Sequence, residues 1–208
     1  MQRLTRAQSQ QQTRQRILDA ASALYLENGF SKTSIGDVAE AAGFSYGAVY
    51  SNFSGKAELG LAVVDLLYDR EAVALVEQFT QSEVTLDTML AAFAAWGEKT
   101  IGDPRWARLE LDVIATTADD EQLHDITSAR YTRIRTVGAT MLVAIAERSG
   151  AALTKDPEEV MIGALALALG LGMQRAADPN IAGAYIATFL APLFAAYFTP
   201  SPLPPTIA

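Results

Sequence analysis

The side chains that carry out covalent or metal chemistry are scarce in this sequence. Cysteine is absent and His124 is the only histidine. That removes disulfides, thiolate metal sites and any Cys-His nucleophile pair. His124 stands among Asp119, Asp120, Glu121 and Asp125, and a solitary imidazole in an acidic stretch reads as solvated helix surface. The remaining carboxylates are scattered, so we expect no enzyme, no metal and no cofactor. What remains is contact chemistry. The run SYGAVYSNFSGK, residues 45–56, gathers phenols, hydroxyls, an amide and an amine, the groups that hydrogen-bond phosphate oxygens and base edges.

Those residues need short, well-terminated helices around them. A first helix is expected over residues 14–28, with Ile17, Ala21, Leu24 and Tyr25 on one face, Gly29 ending it and Phe30 turning inward. A second covers residues 34–42: Ile35, Val38, Ala39 and Ala42 form its apolar stripe, Ser34 and Asp37 have capping-box spacing, and Gly43 stops it. Ser45 caps a third over residues 46–52, with Val49 and Phe53 inward. Two short helices joined by a Gly-containing turn form a helix-turn-helix pattern.

A longer helix follows over residues 56–80, burying Leu59, Val63, Leu66 and Val73. Helical segments continue over 85–101, 104–117, 120–149, 157–177 and 181–198, with Pro104 and Pro157 in first-turn positions. No repeat, strand pattern or Gly-rich phosphate loop is seen. The expected fold is all-α. Residues 1–55 form an arm and helix-turn-helix domain, 56–198 a helical body, and 199–208, with four prolines, a disordered tail.

Composition supports helices: half of the 208 residues are hydrophobic and 19% are charged. The net charge is −8, but it is unevenly divided. Residues 1–56 carry six Lys/Arg against four Asp/Glu and the rest ten against twenty, which points to a DNA-facing head on an acidic body. The polar, Gln-rich start does not read as a secretory signal, and a cytoplasmic protein is expected.

The segment TSIGDVAEAAGFSYGAVYSNFSGKAEL, residues 33–59, resembles the DNA-binding head of TetR-family transcriptional regulators. RILDAASALYLENGFSKTS, residues 16–34, resembles that family's first helix, so the resemblance covers residues 14–60. It implies that Tyr46, Gly47 and Ala48 reach base edges while Tyr50 and Lys56 hold phosphate. Thr33 and Ser34, where the second helix begins, offer hydroxyls and N–H groups suited to phosphate. Ser45, Ser51 and Asn52 complete the expected DNA-binding set. The sequence departs from the commoner pattern at Asn52, where His is frequent, and at Gly55, where Ser or Asn usually caps. Gly47 and Ala48 bring no side-chain hydrogen bonds, so specificity is expected from Tyr46, thymine-methyl contacts and DNA shape. Two alternatives stand beside this: Tyr50 packed on the first helix, and Lys56 as a solvated lysine. Arg3, Arg6, Arg14 and Arg16 belong either to a phosphate-contacting flexible arm or to a solvated tail.

Residues 160–173 lack a polar side chain, and residues 181–198 are broken only by Thr188. A membrane hairpin would need about 20 residues per span; the first run is shorter and the second carries Pro192, so no membrane is expected. A helix apolar all round must be buried on several sides, which a dimer supplies. The resemblance implies a homodimer built from the last two long helices, and Gly163, Leu167, Gly170, Leu171, Tyr185, Phe189 and Leu193 are the expected interface. It also implies an enclosed small-molecule site, for which Phe93, Trp96, Trp106, Glu110, Val113, Tyr131, Met141, Met173 and Gln174 suit a mainly apolar ligand. The expectation is a repressor that binds palindromic operator DNA as a homodimer and is released by that effector. The rival is a helical adaptor that does not read DNA.

Overall fold

Each of the first three helices starts on a hydroxyl cap. The computed structural model describes residues 5–81 and 103–200, together with 85, 87, 88, 91, 92, 95, 96 and 100. Helix α1 (Arg6–Asn28) begins before residue 14 because Thr5 and Gln8 form a capping box, which satisfies two N–H groups that the helix start leaves open. The segment expected to be a flexible arm is thus helical from Arg6; Arg3 lies outside the described residues. Helix α2 (Ile35–Ala42) starts on the Ser34–Asp37 capping box and ends on Gly43, whose φ of 71° is the left-handed conformation that only glycine takes at no cost. Helix α3 (Tyr46–Tyr50) is capped by the Ser45 hydroxyl, which accepts from Ala48 N. It is followed by α4 (Lys56–Gln81), α5 (Pro104–Thr117) and α6 (Glu121–Ser149).

The chain folds as two compact units, and one comprises Met1–Glu71 and Arg105–Arg130. Its core buries Ile17, Ala21, Tyr25, Phe30, Val38, Val49, Phe53, Leu59 and Val63. α5 comes close enough that a Cβ on Gly60 would stand 2.6 Å from Phe30 Cε2 and 3.0 Å from Val113 Cγ2. Polar pairs add to the join. Buried Tyr68 donates its hydroxyl to buried Glu110 at 2.7 Å, and Ser31 Oγ reaches Asp112 at 3.1 Å. Arg130, fully buried, donates from Nε to Asp65 at 2.6 Å.

The second unit comprises Ala72–Pro104 and Tyr131–Ala208. Helix α7 (Pro157–Ala177) starts where expected, with Pro157 in the first turn and Asp156 accepting from Glu158 N and Glu159 N. Its buried face, Val160, Met161, Ala164, Ala168 and Leu171, packs with Ala139, Leu142 and Ile145 of α6. By length and composition α7 is apolar enough to cross a membrane. Shortness therefore does not argue against a span; the acidic pair at its start and the core it builds with α6 do.

Helix α8 (Tyr185–Tyr197), with Pro192 inside it, starts later than residue 181. Arg175 Nε donates to Ile181 O, and Asp178 caps Asn180 N, so a turn occupies the interval. Val73, expected inside, is 58% exposed.

Two short strands were not foreseen. β1 (Ala151–Leu153) pairs antiparallel with β2 (Phe198–Pro200), Ala152 opposite Thr199. Residues 199 and 200, expected in a disordered tail, are therefore held by backbone hydrogen bonds; residues 201–208 lie outside the described residues. Three residues are too few to show the alternation that marks a strand.

Candidate nucleic-acid interface

Helix α3 is fixed from beneath and left open above. Val49 and Phe53 are buried, whereas Tyr46 and Tyr50 are 57% and 44% exposed. One helical turn separates the two tyrosines, which places them side by side. Their hydroxyls meet at 3.3 Å and their rings lie 4.9 Å apart, tilted by 51°. The shared hydrogen bond raises the Tyr50 phenol above its ordinary pKa. Tyr50 thus does not pack into the first helix; it stands exposed beside Tyr46. Gly47 and Ser51 lie on the same outward side, both exposed, and Ala48 is half-buried.

Polar groups at the end of α3 are partly used by the helix. Ser51 Oγ donates to Ala48 O at 2.9 Å and Asn52 Nδ2 donates to the same oxygen at 2.8 Å. Arg14 then closes the end: its Nη1 donates to Asn52 O at 2.6 Å, and its guanidinium lies 4.0 Å from the Phe53 ring centre. Arg16 does the same for α2, donating to Ala42 O at 3.0 Å over Phe44. A cation suits a helix C-terminus, where unpaired carbonyls accumulate partial negative charge, and a ring beneath it adds attraction. These arginines are therefore internal braces, not part of a phosphate-seeking arm. No local pattern in the sequence marks this role, because each partner lies more than twenty residues away.

At the start of α2, Ser34 is exposed and Thr33 is not. Thr33 is 3% exposed and donates to Gly29 O at 3.0 Å, so its hydroxyl is directed inward, contrary to the expected phosphate contact. Ser34 Oγ and Ser34 N both donate to Asp37 Oδ2 at 2.7 Å, and these bonds, the backbone one foremost, lower the Asp37 carboxyl below its ordinary value. Lys56 Nζ donates to Ser31 O at 3.2 Å and sits over Phe30. Its anchored base leaves two further N–H donors for a partner.

The residues expected around a small ligand are distributed over both units. Within the first, Val113 is fully buried against the Gly60 position and Phe30, Trp106 packs edge-on against Tyr68, and Glu110 takes the Tyr68 hydroxyl. Within the second, Trp96 is half-buried on the α6–α7 core, and Tyr131 and Met141 are half-buried. Met173 and Gln174 are exposed. Phe93 lies outside the described residues. Of the expected dimer residues, Gly163, Tyr185 and Phe189 are exposed, the last two stacked 5.9 Å apart. Gly170 is half-exposed, and Leu167 and Leu193 are partly buried on the core. Leu171 belongs to the core itself at 6% exposure, so it has little surface left for a partner. Ile162 and Met173, each at least half exposed, extend the apolar surface instead.

Comparison with known proteins places this geometry. Residues 17–63 match the family described as "Bacterial regulatory proteins, tetR family". Over 59 residues the chain is 41% identical to the "HTH-type transcriptional regulator TtgR" of Pseudomonas putida, a stretch that is 28% of either chain. The chain thus matches under a third of that relative's length. Likeness of fold extends further. A transcriptional regulator from Rhodococcus sp. RHA1 shares it at TM-score 0.67 and 22% identity, over 88% of this chain and 95% of the other. The crystal structure of Thermus thermophilus FadR, a TetR-family transcriptional repressor in complex with lauroyl-CoA, does so at TM-score 0.66 and 19% identity, over 88% and 93%.

Proposed function

We propose that the protein, whose residues 17–63 match the tetR family of bacterial regulatory proteins, is a transcriptional repressor of that family that reads operator DNA through α3. The observation that carries this is the exposed Tyr46–Tyr50 pair on a helix braced at both ends, by the Ser45 cap and by Arg14. A short helix with small and phenolic outward residues enters the major groove, Tyr46, Gly47 and Ala48 toward base edges. Tyr50, Lys56, Ser34, Ser45 and the end of α3 hold phosphate.

The active form is a homodimer. The exposed apolar residues Ile162, Met173, Tyr185 and Phe189 gain from burial against a second copy, and a two-fold axis would set two recognition helices about 34–36 Å apart on a palindrome. A small, mainly apolar effector releases the DNA; of the lauroyl-CoA bound by the Thermus protein, the lauroyl chain alone is of that character. The ligand acts only by its preference for the form that does not bind DNA. The protein works in the cytoplasm, without membrane insertion and without enzymatic turnover.

Fluorescence anisotropy against DNA upstream of the protein's own gene, with a shuffled duplex as control, tests this. Preference for the native duplex by about a thousandfold or more supports the regulator. Tyr50→Ala with Lys56→Ala should weaken binding to both duplexes while leaving a folded dimer. A folded dimer that binds no duplex, even after selection from random sequence, would leave the adaptor reading in front.

A further inference from the structure

Gly47 is a glycine that the fold itself does not require. It lies within α3, and its backbone is not among the left-handed conformations, which in the described residues occur only at Gly29, Gly43 and Gly150. A Cβ built on it would meet nothing nearer than the Ser45 hydroxyl at 4.0 Å. Contrast Gly60 and Gly138, where a Cβ would collide with Phe30 and Met161 at 2.6 and 2.3 Å. Glycine inside a helix costs free energy relative to alanine, so at position 47 the protein keeps an unfavourable residue that none of its own atoms demand. The surrounding surface explains what the bare backbone could serve. Gly47 is next to Tyr46 in sequence, one turn before Tyr50 and Ser51, and exposed with them.

We propose that Gly47 is a specificity-determining residue: its missing side chain leaves open space beside the paired tyrosines that seats the C5-methyl group of one thymine in the major groove. A Cα without a side chain offers no donor or acceptor, which suits a methyl group and no other feature of the base edges. The tyrosines, joined through their hydroxyls at 3.3 Å, stand beside this open position and are exposed with it. An alanine methyl at position 47 would occupy the same volume as the thymine methyl. The inference rests on the reading of α3 as the DNA-contacting helix.

The test uses the full-length dimer and the duplex that the wild-type protein selects from random sequence. Melting temperature and anisotropy are measured for the wild type and Gly47→Ala on that duplex, on the same duplex with deoxyuridine replacing each thymidine in turn, and on an unrelated duplex. Gly47→Ala should melt about 2–4 °C higher yet bind the selected duplex about tenfold or more weakly, with unrelated DNA unaffected. One thymidine-to-deoxyuridine change should weaken the wild type and leave the variant indifferent. Equal binding by the two proteins, or a wild type indifferent to every such change, overturns the proposal while leaving DNA reading intact. A wild type that selects no sequence removes the premise, and the proposal falls with it.

Discussion

Tyr25 shows how one side chain can set an alkaline limit on the head. Its ring packs edge-on against Phe30, but its buried hydroxyl has no hydrogen-bond partner among the described residues, and burial pushes the phenol pKa well above 10.0. Below pH 10 neither the folded nor the unfolded chain ionises there, and the stability is unaffected. Above it the unfolded phenol loses its proton while the folded one resists, so stability falls as pH rises toward the raised value. Tyr25→Phe should keep the ring contact, remove the orphaned hydroxyl, raise stability by about 1 kcal/mol, and flatten the alkaline decline in urea titrations from pH 9 to 11. Asp37 gives the opposite limit. Its carboxyl is held below the ordinary value by Ser34, so the stability it lends is present above about pH 4 and disappears as pH falls through the lowered value. Ser34→Ala should cost about 1 kcal/mol at neutral pH and less in acid, read from denaturation midpoints at pH 7 and pH 3.

Individual elements differ in how plainly the sequence announced them, and the reason is the range of the interaction that defines each. α2 and α7 start where local caps say they must: Ser34–Asp37 and Asp156–Pro157 act within four residues. The early start of α1 had a local signal too, Thr5 and Gln8, but the Gln-rich stretch after it has no apolar stripe, and periodicity alone hid it. Tyr46 was legible as outward, but the sequence left Tyr50 open between phosphate and the first helix, and only the structure stands it exposed beside Tyr46. The braces from Arg14 and Arg16, the inward turn of Thr33, the burial of Leu171 and the β1–β2 ribbon depend on partners distant in sequence, and no window of residues contains them.

The joint of α4 with α6 is of this long-range kind. Arg130 is fully buried and its Asp65 partner is 29% exposed, and its terminal nitrogens find no acceptor among the described residues. Arg130→Ala should destabilise the first unit by about 2–3 kcal/mol, less than a fully buried pair because Asp65 is partly hydrated. Arg130→Met, which fills the volume without unpaired N–H groups, should restore most of it. Thermal and urea denaturation of the two variants separates packing from charge.

For the whole molecule, the exposed apolar residues of α7 and α8 make assembly the first property to measure. Phe189→Glu introduces a charge into the Tyr185–Phe189 stack. It should shift the protein to a monomer in sedimentation velocity at micromolar concentration, with loss of binding to the palindrome but not of helix content; an unchanged dimer would place the interface elsewhere. The arginine braces have a consequence for the ionic atmosphere of DNA. Six cationic side chains lie in residues 1–56, but Arg14 and Arg16 spend theirs on the carbonyls of Asn52 and Ala42. That leaves Arg3, Arg6, Lys32 and Lys56 to displace condensed counterions. Each neutralised phosphate contributes about −0.9 to the slope of log affinity against log salt, so one head should show a slope nearer −3.6 than the −5.4 or so that six cations would give. Under the proposed reading a dimer of two such heads would show a slope of about −7 where twelve cations would give about −11. Its affinity would still fall steeply with salt, but less steeply than the cation count of residues 1–56 implies.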